Sequence, residues 1–138
     1  MSDGEGRKRF ADAHIARLAT VGPDGRPHIV PVVFAVDGDR IYSGIDDKPK
    51  RGRLKLKRLQ NIAANPAVSI LADHYEDDWE KLWWVRSDGE AYVVEDEAEL
   101  ERARELLRTK YPQYGELGLD IGGAIAIDVS RWSSWSYG

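Results

Sequence analysis

Seven cationic side chains fall within eleven residues: Lys48, Lys50, Arg51, Arg53, Lys55, Lys57 and Arg58, with no acid among them. Lysine offers anions a compact point charge. Arginine offers a planar fork that grips phosphate or carboxylate with two hydrogen bonds. The chain as a whole carries a net charge of −4. Without residues 48–58 it holds 13 basic and 24 acidic residues, a net of −11. A polyanion track needs cations spread along a face. One cationic segment on an acidic chain points instead to a discrete anionic ligand.

Other chemistries leave little trace. There is no cysteine, hence no disulfide framework and no thiolate metal site. His14, His28 and His74 lack metal-ligand spacing, and His74 with Asp77 and Asp78 is a pattern any acidic loop produces. Neither GxGxxG nor a P-loop motif is present, which speaks against a nicotinamide site or a nucleotide-hydrolysing loop. No triad or paired acids stand out, so no catalytic residue is assigned. The first residues lack the apolar run of a signal peptide, and no stretch reaches the roughly 20 apolar residues of a membrane span. A cytoplasmic protein is the expectation.

The 138 residues suit one domain, 1–138, able to bury a core. A short helix is expected over 5–13 with Phe10 as its apolar anchor, then a strand over 14–21. "GPDGRP" (22–27) is turn chemistry before a strand over 28–36. Pro31 inside that strand demands an edge or a bulge, because proline cannot donate to a ladder. "DGD" (37–39) is a hairpin turn into "RIYSGI" (40–45). From Arg51 the pattern is helical, with Leu56, Leu59 and Ile62 or Ala63 facing a core. Arg51, Lys55 and Arg58 share another stripe. Asn65-Pro66 ends this helix.

A strand over 67–73 and an acidic connector over 75–81 follow. Residues 82–95 read as one long strand, or as a hairpin turning at Ser87-Asp88-Gly89. Trp83 and Trp84 are neighbours, so on a strand one faces in and the other out. Asp96 caps a helix, with Glu99 completing a capping-box-like pair. Leu100, Ala103, Leu106 and Leu107 form its apolar face. A loop over 112–123 leads to a last strand over 124–132 and an aromatic tail. The pattern is mainly β with flanking α, and many short antiparallel strands suggest a small barrel.

The run "ARLATVGPDGRPHIVPVVFAVDGDRIYSGID", the Lys/Arg cluster after it, "NIAANPAVSIL" and the closing "DVSRWSSW" together resemble the pyridoxamine 5′-phosphate oxidase-like split β-barrel proteins. Within them the chain is most similar to the actinobacterial flavin/deazaflavin branch, whose members use coenzyme F420. The resemblance covers about residues 10–135. It implies a six-stranded antiparallel split β-barrel of the FMN-binding type, a homodimer with the cofactor groove at the subunit interface. Carried over residue by residue, Ser43 and Lys48 match phosphate-contacting positions, with Lys50 and Arg51 as further contacts. Leu18, Ala19 and Thr20 match the strand beside the ring system. Val30, Pro31 and Val32 match the segment whose backbone approaches the ring. Many relatives carry only one or two basic residues in the cationic segment.

In such proteins the cofactor carries the hydride chemistry and the protein supplies binding and orientation. FMN has one terminal phosphate. Coenzyme F420 has a phosphodiester and a glutamate tail, so a long cationic segment suits it better. The expected function is an F420-binding oxidoreductase acting on a small organic substrate. An FMN-dependent enzyme of the same fold and a non-enzymatic cofactor-binding protein are the alternatives. A nucleic-acid module is disfavoured by the acidic remainder. Pyridoxamine 5′-phosphate oxidation is disfavoured because Arg131 is the only cation after Lys110.

Overall fold

The computed structural model describes residues 1–46 and 56–138. Its elements are α1 (Asp3–Asp12), β1 (Ala16–Val21), β2 (Pro27–Val32), β3 (Phe34–Asp37), β4 (Arg40–Ile45), α2 (Lys57–Ala64), β5 (Ala67–His74), β6 (Trp83–Val93), α3 (Glu97–Lys110), α4 (Gln113–Glu116) and β7 (Gly123–Ser136). All strands pair antiparallel in one sheet of order β2-β1-β5-β6-β7-β4-β3.

That order closes the sheet. β2 and β3 stand at its opposite edges, yet only Val33 separates them in the chain. Laid flat, seven strands about 4.8 Å apart would put those edges nearly 30 Å from each other. Two peptide links span roughly 7 Å. The sheet therefore curls until its edges meet at Val33, which makes a barrel. The expected single strand over 28–36 is broken there, so the structure has seven strands rather than six. Pro31 lies in edge strand β2 opposite Arg17, where its missing N–H costs little.

The barrel interior is filled by alternate residues: Leu18 of β1, Ile41 and Ile45 of β4, Val68, Ile70 and Ala72 of β5, Val85 of β6, and Ile125 and Ile127 of β7. Phe10 of α1 plugs one end, packed on Phe34 and edge-on to Trp132. α3 lies outside, its Leu100 and Ala103 packed over Tyr42, Ala124 and Ala126. Residues 83–93 form one strand rather than a hairpin. β6 pairs with β5 on one side and β7 on the other, and Asp88-Gly89 marks a bulge instead of a turn. Trp83 packs against the core while Trp84 faces out beneath Arg86. β7 runs to Ser136 because the tail "WSSWS" pairs with Trp83 through Ser87.

Asp96 caps α3 by accepting from the Glu99 N–H at 2.9 Å. The Glu99 carboxylate turns to the sheet. One oxygen accepts from Arg40 Nη1 at 2.9 Å, Tyr42 Oη at 2.9 Å and Tyr92 Oη at 2.7 Å. Burial, then Glu99, raises both phenol pKa values above the usual tyrosine range, so the hydroxyls stay donors. Glu99→Gln keeps an acceptor but loses its charge. We expect it to lower stability by about 1–2 kcal/mol, read by urea unfolding, because Arg40 is only partly shielded and stays paired with Asp128.

Candidate functional site

The break at Val33 leaves backbone groups that a ladder would have satisfied. Two side chains take them. Ser43 Oγ donates to the Val33 carbonyl at 2.9 Å. Tyr111 Oη accepts from the Phe34 N–H at 3.1 Å and lies 2.9 Å from the His14 carbonyl and 3.0 Å from that of Phe34. Tyr111 is the C-terminal cap of α3, so the end of that helix is pinned to the bend.

α2 is fixed from the other side. Leu59 and Ile62 enter the core, and Asn61, fully buried, donates from Nδ2 to Thr20 Oγ1 at 3.0 Å. Leu56 is 38% exposed and does not face the core. It precedes the helix in extended backbone, off the helical stripe. Ala63 also faces solvent. Arg58, three residues before Asn61, is turned inward and half-buried.

These anchors frame a groove astride the bend. One chamber, about 270 Å³, is lined by Pro31, Val32, Ser43, Gly44 and Arg58 together with Ile15, Val33 and Asp46. The second, about 400 Å³, shares Ile15, Val33 and Asp46 and continues between Tyr111, Tyr114 and Leu119, with His14 and Gln113 at its edge. Among the described residues the first holds one cation, Arg58, and one carboxylate, Asp46. Arg58 Nε is buried and has no hydrogen-bond partner among the described residues. Burial pulls the Arg58 pKa down, opposed by the charge of Asp46. A donor left unpaired on a desolvated guanidinium suits an oxyanion, which would satisfy it and offset the cost of burying the charge.

Of the residues singled out from the sequence, Pro31, Val32 and Ser43 come together in this groove. Leu18 and Thr20 point into the barrel, with the Thr20 hydroxyl engaged by Asn61. Ala19 is on the outer face, and Val30 packs against the core. Lys48, Lys50 and Arg51 lie outside the described residues. In the sequence Arg58 is one member of a cationic stripe with Arg51 and Lys55. Its spacing from the buried Leu59, Asn61 and Ile62 is the signal that sets it apart from Lys57. Ile15, Val33, Tyr111 and Tyr114 were missed, because only the barrel's closure brings them together.

The model of the pyridoxamine 5′-phosphate oxidase family matches residues 2–136. The chain belongs to this family. Among structures of similar fold is a conserved hypothetical protein of Mycobacterium tuberculosis, 25% identical, with a TM-score of 0.79 over 99% of this chain and 85% of that one. An FAD-binding protein of Mesorhizobium loti is 19% identical, with a TM-score of 0.73 over 97% of this chain and 94% of its own. A 5a,11a-dehydrotetracycline/5a,11a-dehydrooxytetracycline reductase of Streptomyces rimosus is 39% identical over 57 residues. That match spans 41% of this chain and only 38% of the reductase. The family assignment accounts for the curled sheet, and the groove lies where this family member's sheet edges meet. Among the described residues no helix is long and apolar enough to cross a membrane.

Proposed function

We propose that this protein is an oxidoreductase that holds a phosphate-bearing, flavin-type redox cofactor in the groove at Val33. The observation that carries this reading is the buried Nε of Arg58, unpaired among the described residues, in the chamber that also contains Ser43. Family membership, the reductase name of the partial relative and the FAD-binding name of a structural neighbour support it. When bound, such a cofactor supplies hydride transfer. The chain's own task is to bind and orient it.

In this reading Arg58 holds the phosphate, with Lys48, Lys50 and Arg51 as further cations. The Ser43 hydrogen is committed to Val33, so Ser43 would act toward a phosphate mainly by shaping the chamber. Pro31 and Val32 wall the side on which the ring system would lie. Exposed Ile15 and Ile29 suit closure of the groove by a second copy of the chain. The acceptor is a small organic molecule.

The excess of cations in 48–58 favours coenzyme F420, whose tail carries several negative charges. A flavin nucleotide is the second reading, favoured by the FAD-binding neighbour. Titration of the purified protein with F420, FMN and FAD separates them. F420 binding in the micromolar range, lost when Lys48, Lys50 and Arg51 become alanine, supports the first. Flavin binding without F420 binding supports the second. If none of the three binds, the proposal fails. Tight binding without turnover of any acceptor marks a cofactor-binding protein rather than an enzyme.

A further inference from the structure

The dipeptide Asp-Gly occurs four times, as Asp3-Gly4, Asp24-Gly25, Asp37-Gly38 and Asp88-Gly89. It is prone to a reaction of the chain with itself. The glycine main-chain nitrogen attacks the carboxyl carbon of the aspartate side chain. Water leaves and a five-membered succinimide closes. Water then opens the ring at either carbonyl. One opening restores aspartate; the other gives isoaspartate, in which the main chain runs through the side-chain carbon. Glycine favours the attack because no Cβ shields its nitrogen and its backbone turns freely. A peptide held in a helix or a ladder must first open to react, so the fold decides which pair does.

Three of the four pairs are held. Asp88 and Gly89 lie inside β6, between β5 and β7, with Gly89 against the Asp128 backbone. Asp3 and Gly4 form the first turn of α1. At Asp24-Gly25 both reacting groups are engaged. The Gly25 N–H donates to the Gly22 carbonyl at 2.9 Å, and Asp24 Oδ1 accepts from the Arg26 N–H at 3.1 Å. Asp37-Gly38 lacks these restraints. Asp37 sits on the last pair of β3 and β4, where a ladder frays first. Gly38 opens the two-residue turn at φ 62°, with nothing within 4 Å of where a Cβ would stand. Its N–H donates to no group among the described residues. The exposed Asp37 carboxylate has one long contact, from Arg102 Nε at 3.4 Å.

We infer that Asp37 is the site at which this chain isomerises spontaneously to isoaspartate. The product adds a backbone carbon beside the turn. There the Asp39 carbonyl accepts from the Val129 N–H at 2.9 Å, Asp39 pairs with Arg7, and Arg40 reaches Glu99 and Asp128. A longer turn pulls on all of these contacts, so the isomerised chain melts earlier.

Incubation of the full-length protein at body temperature and neutral pH in heavy-oxygen water tests this, because each ring opening leaves one heavy oxygen in the chain. Peptide mapping with electron-transfer fragmentation places the label. Asp37 is expected to gain label about fivefold faster than Asp24, the weight of one hydrogen bond on the attacking nitrogen. Asp3 and Asp88 lag behind both. In urea-unfolded protein the four rates converge to within about twofold. Asp37→Glu keeps the charge opposite Arg102 but cannot close a five-membered ring. It is expected to lose the label at that position and to hold its melting temperature through the incubation, while wild type declines. Equal labelling of Asp37 and Asp24 in the folded protein overturns the inference. So does a preference for Asp37 that persists in urea, since it would belong to the neighbouring residues and not to the fold.

Discussion

Gly89→Ala is expected to lower stability by about 3–5 kcal/mol, seen as a fall of roughly 10–20 °C in melting temperature. A Cβ at Gly89 would stand 2.2 Å from the Asp128 carbonyl oxygen, 2.9 Å from its carbon and 3.1 Å from Val129 Cα. All three atoms are backbone, so no side-chain rotation relieves the clash. They belong to the bulge where Asp88 opposes Arg131 but Gly89 opposes Val129, which leaves Ser130 as the extra residue.

The bulge is not incidental. Before it, Ile125 and Ile127 face the interior; after it, Trp132 does, packed on Phe10. One extra residue switches the parity of β7 from odd to even. Without it Arg131 and Ser133 would enter the barrel and Trp132 would leave it. Relaxing the clash by moving β7 away therefore strains the longest pairing in the sheet. Gly115→Ala serves as a control, since a Cβ there meets nothing within 4 Å. A Gly89→Ala protein that melts within about 3 °C of wild type would show that the strands part more easily than this packing allows.

The sequence was most legible where local chemistry decides the structure. β4 lies over Arg40–Ile45, the bounds expected for it after the DGD turn, entered with Gly38 at φ 62°. α3 starts after Asp96, as the capping residue predicts. Legibility failed where distant segments decide. Asp88-Gly89 carries a turn signal, yet strands on both flanks of β6 hold it straight and turn the signal into a bulge. The break at Val33 is invisible in an unbroken apolar run, because its cause is the meeting of two sheet edges. The groove shows the same divide. Pro31, Val32 and Ser43 came from a family likeness. Tyr111 and His14, 97 positions apart, share no local pattern at all.

Arg58→Gln is expected to weaken cofactor binding about 10- to 100-fold, the weight of roughly 1.5–3 kcal/mol for a hydrogen bond to a charged group. The neutral amide keeps much of the side chain's length but loses the charge and the Nε donor. A structural arginine would behave differently: its loss would lower stability. Here Nε has no partner to lose among the described residues, and burial already disfavours the charged form, so removing the charge leaves stability unchanged or improves it. Lys57→Gln, one residue earlier and exposed, should change affinity less than about threefold, because a solvated cation contributes mainly a screened field. The pair of variants separates a specific contact from the general charge of the segment. Raising the salt concentration should weaken the wild-type complex, and the Arg58→Gln complex less steeply, since one fewer charge pair is formed. If Arg58→Gln binds like wild type but melts earlier, Arg58 is part of the scaffold, and the anion must be sought elsewhere on the cationic segment.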